Sequence, residues 1–302
     1  MTSRTQRAWI ACVIVTSAAS FARAAEPKAA TSATPPASPV ASPAAQPADP
    51  TAGLTIDRLE WSGLPAGAEV VVIENDYGDV RIRGAKGDDV VEAHTVVQRL
   101  DSAGEKLVLA VERIGATLVI RVEYPPATPP DPMARARRER HDRADIAVFV
   151  TDGVRVEART RGGIVHVKGF KGDGIDAQTD TGAIRIVAEK SVRARSTSGP
   201  IHVLVREPEG QRSMWLESES GSIEAELPPE ADLDVRVRTG GKVELGYPAK
   251  VESKDGRSRA SFELGKGDRV LVVESRSGDV RIAPAPAWKP EPGQQREREP
   301  DE

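Results

Sequence analysis

Seven segments of the chain place a glycine between a polar, often hydroxyl-bearing run and an alternating apolar pair. They are ENDYGDVRI (74–82), RTRGGIVHV (159–167), QTDTGAIRI (178–186), RSTSGPIHV (195–203), ESESGSIEA (217–225), RVRTGGKVEL (236–245) and ESRSGDVRI (274–282). The central glycines are Gly78, Gly163, Gly182, Gly199, Gly221, Gly241 and Gly278. From Gly163 to Gly241 the spacings are 19, 17, 22 and 20 residues, and the step to Gly278 is 37, close to two periods. A repeat of about 20 residues marks a solenoid, in which each unit buries its apolar face only against its neighbours.

The register within a copy supports that reading. Val192, Ala194, Ser196 and Ser198 share one face of a strand, while Arg193, Arg195 and Thr197 share the other. After Gly199 the inward set resumes with Ile201, Val203 and Val205. The preceding copy repeats this with Ile175, Ala177, Thr179 and Thr181, then Ile184 and Ile186. Inward residues shrink towards the glycine, which predicts a narrow corner where a Cβ would obstruct the backbone turn. The fold class expected is therefore all-β: a parallel β-solenoid of coils with glycine corners, preceded by short strands and hairpins.

Stacked parallel coils bring equivalent residues within about 4.8 Å, where like charges repel. Aligned on Gly162, Thr181, Ser198, Ser220 and Thr239, the nearest outward position runs Arg161, Asp180, Thr197, Glu219, Arg238. The next runs Arg159, Gln178, Arg195, Glu217, Arg236, and the third Glu157, Asp176, Arg193, Trp215, Asp234. Of 12 neighbouring pairs, five are opposite in charge and one is alike, which favours stacked coils over an antiparallel sandwich.

Four further segments flank or interrupt this pattern. Residues 1–24 read as a signal peptide: Arg4 and Arg7, an apolar stretch from Ala8 to Ser20, then Ala22-Arg23-Ala24 as a cleavage site. That apolar stretch is too short for a transmembrane span, and no later segment supplies one. Residues 25–53 are a Pro/Ala/Ser-rich spacer without core-forming residues, and 285–302 a charged, Pro-rich tail; both read as disordered. Cys12, the only cysteine, falls in the signal segment, so the exported chain is expected to lack disulfides and thiol chemistry. Between spacer and tail, 54–284 form the domain, in which 54–124 alternate as short strands with a hairpin at Arg113-Ile114-Gly115-Ala116. A charged insertion, 125–145, carries Arg135, Arg137, Arg138, Arg140 and Arg143 among Glu139, Asp142 and Asp145.

The S/T-x-S/T-G-x-I-x-V copies, following a signal segment and a Pro-rich spacer, resemble the bacterial putative-adhesin family of exported β-solenoid domains over about residues 60–284. The resemblance implies an envelope-associated, adhesin-like binding role and carries no catalytic residues across. The insertion departs from the plain repeat.

Chemistry is sparse by comparison. The formal net charge is -4, which argues against nucleic acid or anionic lipid as the general partner. Of the four histidines, His94, His141, His166 and His202, the last two occupy equivalent outward positions two coils apart with Arg185 between them. That spacing, about 10 Å, is too wide for one metal. Lys171-Gly172-Asp173-Gly174-Ile175-Asp176 is a single glycine–aspartate copy, where a calcium cage needs several in succession. No G-x-S-x-G elbow or P-loop occurs. No catalytic, cofactor or metal residues are assigned, and no cofactor is expected. Contact residues are sought in the five insertion arginines and in Trp215, which sits outward and offers an aromatic face to a sugar or to a neighbouring coil. The expected role is exported, non-enzymatic binding of an envelope glycan or envelope protein. The alternatives are a carbohydrate-active solenoid enzyme and a structural envelope component without a small ligand.

Overall fold

The computed structural model describes residues 55–63, 67–85, 90–99, 106–125, 143–188, 190–206 and 213–286. The elements among them are 21 β-strands in two sheets, of 10 and 11 strands. Each glycine copy is one coil: a strand in the second sheet, a corner, then a strand in the first. The coils are β2 (Val70–Asn75) with β3 (Val80–Gly84), β8 (Arg155–Thr160) with β9 (Val165–Lys168), and β10 (Gly174–Thr179) with β11 (Ile184–Ala188). They continue with β12 (Val192–Ser196) and β13 (Ile201–Val205), β14 (Met214–Ser218) and β15 (Ile223–Leu227), β16 (Leu233–Thr239) and β17 (Val243–Leu245), and β20 (Arg269–Ser275) and β21 (Val280–Pro284). All neighbouring coil strands pair in parallel.

Antiparallel strands close the two ends. β5 (Val108–Ile114) and β6 (Thr117–Glu123) form the hairpin expected around Gly115, and β6 lies parallel to β2. In the first sheet β7 (Arg143–Val150) runs parallel to β3, followed antiparallel by β4 (Val91–Arg99) and β1 (Thr55–Gly63). At the other end β18 (Val251–Lys254) and β19 (Arg257–Leu264) add to β16. Their turn is Asp255-Gly256, with φ of 52° and 70°. Two successive positive φ values are what a two-residue type I′ hairpin requires.

The coils do not stack in chain order. In space β20 lies between β14 and β16, and β21 between β15 and β17. The 37-residue step to Gly278 is therefore not two coils laid beyond Gly241. The β18–β19 hairpin takes up the extra length along the far edge of β16, and the chain re-enters on the near side. The charge ladder changes with it. Glu217 faces Glu274 instead of Arg236, and Glu274 bonds Arg238 at 3.4 Å. The alignment of Thr239 with Ser220 also shifts by two, because Thr239 and Ser218 both pair with Ser275.

The core is a narrow wedge. On the second sheet the buried levels run Val156-Ala158-Thr160, Ile175-Ala177-Thr179, Val192-Ala194-Ser196 and Leu271-Val273-Ser275. Opposite them lie Val165, Ile184, Ile201, Ile223 and Val280, all at most 1% exposed. Burying each large aliphatic contributes about 1.5–3 kcal/mol. The taper from branched to small to hydroxyl lets the two sheets converge at the glycines.

Those terminal hydroxyls bind the corner. Thr160 Oγ1 donates to Gly78 O of the adjacent coil at 3.2 Å and accepts from Gly163 N at 3.2 Å. Ser275 does the same with Gly221 O (3.3 Å) and Gly278 N (2.9 Å). The hydroxyl just before the glycine, expected inward, is instead exposed, because strand alternation ends at the bend. It forms a second ladder, with Thr181 Oγ1 donating to Arg161 O and Ser198 Oγ to Asp180 O. Ser196 is buried yet its Oγ has no partner. Ser275→Ala is thus expected to lose about 1–2 kcal/mol, since it strands two buried backbone groups, whereas Ser196→Ala is neutral or stabilising. Chemical denaturation of both variants checks this; equal losses would mean that the ladder is packing alone.

Candidate functional site

Trp215 stands outward on β14, between Arg193 of β12 and Val272 of β20, and is 47% exposed. It borders a shallow depression of about 350 Å3 with Arg155, Arg193, Ser191, Ser213 and Ile175. The stacking of coils builds this hollow: residues from four sequence-distant strands share one end of the second sheet. An indole face beside guanidinium and hydroxyl groups is suited to a sugar ring, whose C–H face stacks while its hydroxyls bond.

A second depression, of about 420 Å3, lies on the same sheet beside the first corner. Its charges are internally neutralised: Arg159 bonds Glu74 (3.3 Å) and Glu157 (3.0 Å), and Arg161 bonds Asp76 (3.1 Å). Such pairing recurs elsewhere on the sheet, as in Arg155–Asp176 at 3.6 Å and Arg195–Glu217 at 2.9 Å. Exposed pairs of this kind contribute about 0.2–1 kcal/mol each and reduce the pull on an external ion.

Of the insertion arginines, Arg135, Arg137, Arg138 and Arg140 lie outside the described residues, as does His141. Arg143 is placed, and as the first residue of β7 rather than in a loop. Its guanidinium bonds Asp145 at 2.5 Å and Asp79 at 3.1 Å. Burial opposes its charge, but the Asp145 and Asp79 carboxylates outweigh that and raise its pKa. Arg143 is thus a clamp at the first corner, its guanidinium engaged by two carboxylates. Asp79 also accepts from Ile164 N at 3.0 Å, tying that clamp to the next coil. The near end of the same segment is held by Tyr124, whose hydroxyl donates within hydrogen-bond distance of Asn75 Oδ1 (2.7 Å) and Tyr77 O (2.5 Å). Burial pushes the Tyr124 phenol up, and its ring meets Tyr77 edge-on at 5.1 Å.

The glycine column is a close-contact seam. A Cβ on Gly163 would sit 1.7 Å from Gly78 O, on Gly182 1.7 Å from Gly163 O, and on Gly199 1.7 Å from Gly182 O. Gly221 and Gly278 come within 2.1 Å of the preceding glycine carbonyl, and Gly241 within 2.7 Å of Gly278 O. Only Gly78 of the seven has a positive φ, 133°. Close approach between coils, more than conformational freedom, is what demands glycine here.

The histidines lie where the repeat put them: Arg185 pairs with His166 on one side and His202 on the other. Reading along the repeat missed the neighbours of His202. Glu224 faces it across β15 and Glu226 lies two residues on, so three donor atoms fall within 4.8 Å of one another. These are the residues that hold a metal most readily on paper, but each is engaged: His202 Nε2 meets Glu226 Oε1 at 2.7 Å, and Arg281 donates to Glu224 at 3.0 Å. The cluster is a knot of polar side chains on the surface, each already engaged by a neighbour. In the glycine–aspartate run, Asp173 pairs with Lys190 at 3.2 Å and Asp176 with Arg155 at 3.6 Å, so the two acids turn to different partners.

The molecule is thus a stack of parallel coils with two broad outward faces, a class of β-solenoid. Its sequence matches the model of the family described as Toastrack DUF4097 over residues 65–283, and the chain belongs to that family. This agrees with the resemblance carried by the glycine repeats. Among solved structures, the chain is similar to a putative cell adhesion protein from Clostridium sporogenes, at 13% identity and a TM-score of 0.48. That match covers 76% of this chain and 99% of the other. It is also similar to a putative adhesin from Bacteroides fragilis, at 8% identity and a TM-score of 0.32, over 75% and 97% of the two chains. No curated protein matches.

Proposed function

We propose that this is an exported, non-enzymatic binding protein of the cell envelope, adhesin-like in action, that takes a glycan on the outward face of its solenoid. The observation that carries the reading is Trp215, the one exposed aromatic among the large exposed apolar side chains of the described residues, set in a depression with Arg155 and Arg193. Solenoid faces are extended and rigid, which suits a polymer laid along them. The ion-paired state of the acids on the same sheet favours binding over glycosidic chemistry, which uses two carboxylates facing each other across the sugar. The N-terminal basic and apolar segment and the Pro-rich spacer support export and display away from a surface. Among the described residues no helix is long and apolar enough to cross a membrane.

The test is an array of purified envelope glycans, lipopolysaccharide and peptidoglycan, probed with the chain and with Trp215→Ala. Saturable binding weakened roughly tenfold or more by the substitution is expected, since loss of a base- or sugar-stacking aromatic is worth about 1–3 kcal/mol. Undiminished binding in Trp215→Ala would remove the depression from the reading. Binding lost only when Arg135, Arg137, Arg138 and Arg140 become serine would move the site to the insertion.

A further inference from the structure

The two sheets differ in how their outward charges are arranged. On the second sheet, like charges also meet, Glu157 beside Asp176 and Glu217 beside Glu274, but each of these acids has a cation within reach, Arg159, Arg155, Arg195 and Arg238 respectively. On the first sheet, three adjacent strands stack basic residue on basic residue. Arg81 of β3 faces His166 of β9, which faces Arg185 of β11, and two residues along Arg83 faces Lys168. Among the described residues, no ion pair involves Arg83, Lys168 or Arg185. Arg81 alone has a carboxylate near, Asp79 at 3.6 Å, and Asp79 is shared with Arg143.

Parallel pairing places directly opposed residues about 4.8 Å apart, and residues two apart on one strand about 7 Å apart. The five groups therefore fill a patch of roughly 10 Å by 7 Å. Like charges opposed across a ladder are destabilising. Stacked basic residues that no carboxylate bridges, as at Arg83 and Lys168, are locally inconsistent with stability, as functional sites are. The patch also adjoins carbon surface: Phe149 of β7 lies opposite Arg83, half-buried, with its ring edge-on to His94 at 5.8 Å.

We propose that this face of the first sheet binds an acidic polysaccharide, whose successive anionic groups engage Arg83, Lys168 and Arg185 while a sugar ring rests against Phe149. Guanidinium groups hold carboxylate, phosphate or sulfate in bidentate fashion. A membrane surface is the poorer fit: the large exposed apolar residues Ile56, Val96, Val108, Ile114 and Trp215 all lie off β3, β9 and β11. The proposal shares with the preceding section the reading of the chain as a binding protein, but it does not depend on the Trp215 depression.

His166 makes the patch pH-sensitive. Burial first, then Arg83, Arg185, Arg81 and Lys168, hold its pKa below the usual histidine value, and the paired strands β3, β9 and β11 carry no acid. In the free protein His166 therefore carries less charge at a given pH than an ordinary histidine does. An anionic chain offsets the surrounding cations and favours protonation. Binding then takes up a proton, and affinity rises as the pH falls through the range in which His166 titrates.

The experiment measures binding of the full chain to polygalacturonate by titration calorimetry, with neutral dextran as control. The variants are Arg83→Ser/Lys168→Ser/Arg185→Ser and, removing the same charge from the far cap, Lys254→Ser/Arg257→Ser/Lys266→Ser. Circular dichroism and melting confirm that both fold, and Arg185→Ser alone serves if the triple variant does not. The patch triple is expected to weaken binding at least tenfold and the cap triple less than twofold. The unaltered chain should also bind several-fold more tightly at pH 5.5 than at pH 7.5, a gain that His166→Gln abolishes. Equal loss in both triples would show general charge attraction and overturn the site, as would no loss in either. So would an absence of polygalacturonate binding, whether or not neutral glycans bind elsewhere. Binding confined to phosphatidylglycerol vesicles or to a single-stranded oligonucleotide would also overturn it.

Discussion

Gly199→Ala is expected to destabilise the protein by at least about 3 kcal/mol and to lower its thermal midpoint by roughly 6–12 °C. The added Cβ would lie 1.7 Å from Gly182 O and 2.9 Å from Thr181 O, both backbone atoms of the adjacent coil. A flexible side chain would swing away, but a carbonyl in a paired ladder moves only with its strand. The neighbours on either side transmit the shift, because Gly182 meets Gly163 as closely as it is met by Gly199. Gly153→Ala is the control: nothing lies within 4 Å of its Cβ, and its φ of 78° alone sets a penalty of about 1 kcal/mol. Melting curves of the two variants decide the point. Equal midpoints would mean that the coils separate easily at the corner and that the repeat is not held by close contact.

A chain ended after Asp268 is expected to lose its C-terminal third as a folded unit. In a solenoid whose coils follow chain order, removing the last coil leaves the others with one exposed edge and little else changed. Here the last coil is internal. β20 and β21 are the parallel neighbours of β14, β16, β15 and β17, and without them β16 keeps only β19. Leu271, Val273, Val280 and Ile282 leave the core with them, each worth about 1.5–3 kcal/mol. Limited proteolysis followed by mass spectrometry is expected to cut 213–268 rapidly while the coils between 155 and 205 stay protected. A truncated chain that resists cleavage in 213–268 would contradict the interleaved order.

The second prediction also marks where sequence reading ran out. The step of 37 residues between Gly241 and Gly278 was visible, and so was Lys254-Asp255-Gly256-Arg257, whose Asp-Gly pair is a strong hairpin signal. Periodicity treats every interval as stacking in order, so the hairpin was absorbed into a missing period. The slip at Thr239 has a similar cause. In four coils the glycine lies three residues after the hydroxyl that caps it, but Thr239 caps Gly241, two residues on, and directly precedes Gly240. Aligning Thr239, which precedes Gly240, with the residues that precede the other corner glycines therefore displaced that coil by two positions and paired Glu217 with the wrong partner.

The sequence by itself determined the coil. Apolar residues at every second position, shrinking to a hydroxyl and then glycine, dictate two strands and a tight corner, because side-chain alternation and volume are local properties of the chain. It also determined that His166, Arg185 and His202 share a row, since those coils follow in order. Tertiary structure decided which coil lies on which, and with it everything made across coils. The depression around Trp215, the knot of His202, Glu224 and Glu226, and the clamp of Arg143 on Asp79 join residues whose separation along the chain carries no signal. The uncompensated cations of the first sheet are of the same kind: each is ordinary in its own strand, and only the parallel register 4.8 Å away makes them neighbours.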